Sequence, residues 1–169
     1  MTLSPLEPFI HKSQSSQFLN KKKGLILSVT DLHKVILKEE EPPACDRTLG
    51  ITLIEAKDGR AIGSWKIEEH LLNANGIVIN GFITAAADIM MGYAITTLIN
   101  ENQTNASFNL ATTFHTPIQS GIVEIEAKVE QFGSVISYLS AIMTQNNEKT
   151  VEVISTMVII NKPSNGSEQ

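Results

Sequence analysis

The chain predicts an α+β fold in which an antiparallel sheet of about six strands wraps one long central helix, with a short N-terminal covering helix. Three observations carry this. Asn73 to Asn100 holds a single charged residue, Asp88, in a run of Ala, Ile, Met, Phe, Tyr and Leu that is apolar on nearly every face at helical spacing. Two alternating apolar segments joined by an Asp-Gly turn precede that run, and four more alternating segments follow it. The 169 residues, 42% hydrophobic and 18% charged, suit one ordinary globular domain with short extensions.

Residues 1–30 are rich in Ser, Gln and Lys with Pro5 and Pro8, the composition of a flexible or loosely docked arm. Thr30 reads as the N-cap of the covering helix, whose apolar positions are Leu32, Val35, Ile36 and Leu37. Its expected length is about three turns, with Pro42-Pro43 as the stop. Leu49, Ile51 and Leu53 then alternate with smaller or polar residues. Lys57-Asp58-Gly59-Arg60 supplies a turn, and Ala61 to Ile67 alternates again through Trp65, which makes a hairpin. The central helix is expected from Asn80 or Gly81 to about Leu98. A helix apolar all round is expected to be buried. A carboxylate inside it must be paired, hydrogen-bonded or neutral, so Asp88 is the first functional candidate.

Asn100 to Asn105 is polar and loop-like. Strands are expected over Ser107 to His115, Ile122 to Glu130, Val135 to Thr144 and Thr150 to Ile160, separated by turn-forming residues. The second is the clearest, with Val123, Ile125, Ala127 and Val129 on one face and Glu124, Glu126, Lys128 and Glu130 on the other. The folded domain is expected over 31–161 and a disordered tail over 162–169.

The net charge of −5 argues against nucleic acid as a partner. An acidic residue near the helix centre, with no flanking Lys or Arg, argues against a membrane span. Cys45 is the only cysteine, so an intrachain disulfide is impossible and a Cys-based zinc site has no support; it reads as a small buried or half-buried residue. No metal site, cofactor motif, Gly-rich phosphate loop or signal peptide is indicated, and the expected location is the cytoplasm. His70 and His115 read as structural or solvated, and Met90-Met91 as core packing.

The pattern Asn73-x-x-Gly76-x-x-x-x-Gly81-x6-Asp88, with Ser107 beyond it, resembles the signature of the PaaI-like acyl-CoA thioesterases of phenylacetic acid degradation. The order of elements over Leu49 to Asn161 is similar to their hotdog fold. Two adjacent positions depart from the pattern: Ile79 stands where the family has His, and Asn80 where it has the first Gly of His-Gly-Gly. The resemblance implies an acyl-CoA substrate and no cofactor. It implies Asp88 as base or nucleophile in a poorly hydrated site that raises its basicity, and the N–H of Asn80 or Gly81 as oxyanion donor. Asn73 would orient the thioester or the water, and Ser107 would hold the water. Gly76 and Ile79 would border the substrate. It further implies an obligate homodimer, with Asn73 and the helix start from one subunit and Asp88 and Ser107 from its neighbour, often paired into a tetramer. Two alternatives stand beside hydrolysis: a non-catalytic acyl-CoA-binding protein, and an acyl-thioester hydratase or dehydratase, whose usual His is removed by Ile79. Each residue also has a plainer role: Asp88 as a core hydrogen-bonding group, Asn80 as the helix N-cap, Ser107 as a surface serine.

Overall fold

In the computed structural model, residues 30–162 are described; the expected arm over 1–29 and tail over 163–169 lie outside them. The elements are α1 (Leu32–Ile36), α2 (Ala44–Leu49), β1 (Ile51–Lys57), β2 (Arg60–Ile67), α3 (Asn80–Thr96), β3 (Gln103–Phe114), β4 (Gly121–Gln131), β5 (Ile136–Gln145) and β6 (Glu148–Asn161), with a 3-10 turn at Glu69–Leu71. All six strands join one antiparallel sheet in the order β1-β2-β4-β5-β6-β3, so β1 and β3 are its edges. The sheet curls around α3.

Alternation decides which face of each strand meets the helix. Val123, Ile125 and Ala127 on β4 and Val151, Val153 and Met157 on β6 point inward and are buried, as period-two patterning requires. Fully burying a Val, Ile or Met side chain stabilises the fold by about 1.5–3 kcal/mol. Trp65 closes one end of this core with no exposed surface, and its indole N–H donates to the carbonyl of Leu49 at 2.7 Å. Gly63 lets α3 lie close on β2: a Cβ there would stand 2.8 Å from both Cε and Sδ of Met90 and 2.9 Å from the Thr52 carbonyl oxygen.

Turn chemistry sets the registers. Asp58-Gly59 and Asn146-Asn147 all have φ between 50° and 78°, the left-handed pair that a two-residue hairpin turn needs. The Gly59 N–H donates to the Thr97 hydroxyl at 2.7 Å, which ties the first hairpin to the end of α3. Between Ser107 and Asn109 the β3–β6 register slips, so Phe108 stands opposite no residue and is 79% exposed.

Several expectations change. The covering helix has five residues rather than about three turns, and its N-cap is Asp31, which accepts from the His33 N–H at 3.1 Å; a carboxylate beside that N–H outcompetes Thr30. Pro42-Pro43 does not only stop α1. Pro43 is the N-cap of a second helix, α2, which the alternating reading from Leu49 onward passed over. Cys45 on that helix is exposed rather than buried. The central helix ends at Thr96 rather than near Leu98, with Thr97 as C-cap, and β3 begins at Gln103 inside the stretch expected to be loop. Finally, α3 is not enclosed throughout: Met90 to Thr96 are buried, whereas Asn80 and Gly81 are exposed and Phe82, Thr84, Ala85, Asp88 and Ile89 are half-buried. No helix among the described residues is long and apolar enough to cross a membrane.

Candidate active site

The loop before α3 is closed by its own polar groups. The Asn73 N–H donates to Ile77 O at 2.8 Å and the Gly76 N–H to Asn73 O at 2.9 Å. The Asn73 side-chain oxygen accepts from the N–H groups of Asn75 at 2.8 Å and Ile77 at 3.3 Å, as Asn does in tight turns. Gly76 has φ +72°, a left-handed conformation that disfavours any side chain. Two further bonds fix this loop to the body, from the Val78 N–H to Ile118 O at 3.0 Å and from the Ile79 N–H to Leu71 O at 3.3 Å.

What emerges is an uncapped helix start. Ile79, not Asn80, is the N-cap, and its side chain can accept no hydrogen bond. The N–H groups of Phe82 and Ile83 both turn to Ile79 O, at 2.9 and 3.4 Å. Those of Asn80 and Gly81 meet no acceptor among the described residues, and the first turn carries no acidic side chain. Two unmatched donors at the positive end of a 17-residue helix favour negative charge there. The space in front is open, since a Cβ on Gly81 would meet nothing within 4 Å.

Two turns further along, Asp88 is half-buried rather than enclosed, and its Oδ1 accepts from the Ser107 hydroxyl. Ser107 is aimed inward by its register opposite buried Met157, immediately before the bulge at Phe108. Asp88 Oδ2 has no partner among the described residues. One turn back toward the helix start, the hydroxyls of Thr84 and Thr112 lie 3.0 Å apart, a second polar link between α3 and β3 that the sequence pattern did not single out.

The predicted residues thus fall into two groups. Asn73, Gly76, Ile79, Asn80 and Gly81 gather at the helix start, and Asp88 and Ser107 meet each other. Eight residues of helix separate Asn80 from Asp88, about 12 Å along the axis, which is too far for both to touch one carbonyl group. Beside the helix start, Ile77, Asn80, Ile83, Phe114, His115 and Ile118 line a cleft of about 210 Å³.

Residues 75–152 match the Thioesterase superfamily, and this span contains Gly76, Gly81, Asp88 and Ser107. The domain's shape is similar to a putative thioesterase, a phenylacetic acid degradation-related protein, from Ralstonia eutropha: TM-score 0.71, 21% identity, 76% of this chain and 99% of that one covered. It is also similar to the E. coli PaaI protein, at TM-score 0.66 and 19% identity over 75% of this chain and 89% of that one. A third likeness is a thioesterase from Haemophilus influenzae, at TM-score 0.69 and 17% identity over 81% and 95%. Among curated proteins none matches the chain. At these identities the structural likenesses show the fold, the hotdog arrangement of a sheet around one helix, while the superfamily match supports thioester hydrolysis in general.

A second carboxylate was not anticipated. Asp46, on α2, is 2% exposed; its Oδ2 accepts from the Tyr93 hydroxyl at 2.5 Å and its Oδ1 from the Cys45 thiol at 3.3 Å. Burial, then the hydrogen bond and charge of Asp46, push the Tyr93 phenol well above its ordinary range. The signal in the sequence was Pro43 followed by an acid in the first helical turn. Among the described residues no three His, Cys, Asp or Glu side chains gather as metal ligands do.

Proposed function

We propose that the protein hydrolyses an acyl-CoA thioester to free acid and CoA, in a site completed by a second copy of the chain. One observation carries the reading. The helix presents unmatched N–H donors at its start and, about two turns away, a half-open carboxylate with one oxygen held by Ser107 and the other unpartnered. Asp88 would take a proton from water as the hydroxyl adds to the carbonyl carbon, with Ser107 holding that water. The oxyanion would rest against the Asn80 and Gly81 N–H groups while Asn73 orients the acyl group. Collapse breaks the C–S bond, and the thiolate leaves and takes up the proton.

About 12 Å separates donors from carboxylate within one chain, which supports a site whose two halves come from two copies. The free edge of β3 supports the pairing. It is twelve residues long with much of its surface exposed, and long bare edges seek partners. The half-buried side chains Phe82, Ala85 and Ile89 on the first half of α3 support it too.

The test is thiol release from aromatic and straight-chain acyl-CoAs, with wild type and Asp88→Asn compared, alongside a mass measurement in solution. Turnover of one substrate class, its loss in the Asn variant, and a mass of at least two chains are expected. Binding of acyl-CoA without hydrolysis would turn the reading to a binding protein, and a monomer would remove the shared site.

A further inference from the structure

We propose that Thr84 and Thr112 are positioning residues for the oxyanion donor, a bridge of two hydroxyls that ends on the peptide group carrying the Gly81 N–H. This rests on the thioesterase reading above, in which that N–H meets the developing charge.

The direction of the bridge follows from its protons. The Thr84 hydroxyl donates to Asn80 O at 3.2 Å, one turn back along α3. Its oxygen also lies 3.0 Å from that of Thr112. A hydroxyl has one proton to give. With the Thr84 proton on Asn80 O, the contact between the two threonines is a donation from Thr112 to Thr84. Strand β3 thus reaches the first turn of α3 through two hydrogen bonds in series. Register holds Thr112 in place: it stands opposite Val153, which is buried in the core, and both threonines are half-buried.

Asn80 O and the Gly81 N–H belong to one planar peptide unit, trans like every peptide bond among the described residues. The carbonyl points along the helix and the N–H points out of its start. Helix geometry already pairs this oxygen with the Thr84 N–H, and the hydroxyl adds a second donor. Donors on the oxygen draw electron density across the amide, so the N–H becomes a stronger donor; bonds in series polarise one another by roughly 10–30% each. The same contacts fix the plane of the peptide and hence the aim of the N–H.

The anchor replaces what the helix start lacks. Ile79 makes no side-chain bond as N-cap, and the first turn carries no acidic residue. Asn80 and Gly81 are exposed, and among the described residues Thr84 is the only side chain that hydrogen-bonds the backbone of either. A threonine that bonds back to the carbonyl four residues earlier slightly destabilises a helix, so helix stability alone does not account for the arrangement.

Loss of the hydroxyls should act on the transition state rather than on binding. In the acyl-CoA panel, Thr84→Val should lose about three- to tenfold in kcat with KM within about twofold of wild type. Thr84→Ser, which keeps the hydroxyl, should recover most of the rate. Thr112→Val should cost less alone and nothing further in Thr84→Val, because its only route to Asn80 is then gone. A second readout needs no turnover. The chain has ten glycines, so Gly81→Ala identifies the Gly81 amide signal by NMR. That signal should move in Thr84→Val and in Thr112→Val, and return in Thr84→Ser. A Thr84→Val kcat within about twofold of wild type, a loss that falls on KM instead, or a Gly81 signal unmoved in either valine variant overturns the bridge. A wild type that hydrolyses no acyl-CoA, or Asp88→Asn at full rate, overturns the thioesterase reading instead, and the Gly81 signal still decides whether the two hydroxyls act on that peptide.

Discussion

Asp46 and Asp88 are two carboxylates on helices, each joined to a hydroxyl, and they differ in what they have left to offer. Asp46 is sealed at 2% exposure with both oxygens engaged, one by Tyr93 and one by Cys45. It has nothing left to offer a ligand and serves to lock α2 against the buried half of α3. Asp88 lies on the half of the same helix that the sheet leaves open, with one oxygen held and one unpartnered. A hydrogen-bonded carboxylate is therefore not in itself a functional sign; the sign is spare capacity on an accessible face.

The contrast breaks most sharply at Asp88→Asn. The amide keeps the shape and the Ser107 contact but cannot accept a proton, so turnover should fall by about 100-fold or more while the melting temperature stays near that of wild type. Initial rates and a thermal melt on the same preparation check both halves. Tyr93→Phe should do the reverse. It leaves Asp46 buried with only the thiol, a loss of about 1–3 kcal/mol, at roughly 2–4 °C of melting temperature per kcal/mol for a chain of this size, with kcat little changed.

The same pair has an alkaline signature. Tyr93 resists ionisation in the fold, so its contribution is fully present below the ordinary tyrosine pKa of about 10 and declines as pH rises above it, where only the unfolded chain has lost that proton. Urea midpoints at pH 8 and pH 11 should separate more widely for wild type than for Tyr93→Phe. A smaller effect is expected of Ser107→Ala: a loss of roughly 3- to 10-fold in rate, one ordinary hydrogen bond, and almost none in stability, since water can reach half-buried Asp88. Smallest of all, Gly76→Ala should cost about 1 kcal/mol through its left-handed φ, measured by urea unfolding, because nothing stands within 4 Å of the added methyl.

Much of this was legible in the sequence, and for identifiable reasons. Strand alternation placed β4, β5 and β6 within a few residues, and Asp58-Gly59 announced its turn. Asp88 stood out as the single charge in an apolar run. Residue pattern could not reveal that the sheet covers only part of α3, because an uncovered apolar face and a buried one have the same composition. Asp46 escaped for a related reason: its partner Tyr93 lies 47 residues away, and an acid after Pro-Pro looks like loop.

The most direct test of the shared site mixes two inactive variants. Asp88→Asn removes the carboxylate; Gly81→Pro removes one backbone donor at a first-turn position where proline fits the helix. Random reassembly of equal amounts should form mixed dimers in which one of two sites has both parts intact, so about a quarter of wild-type thiol release should return. A mixture no more active than its two parents would show that carboxylate and helix start do not act across two chains.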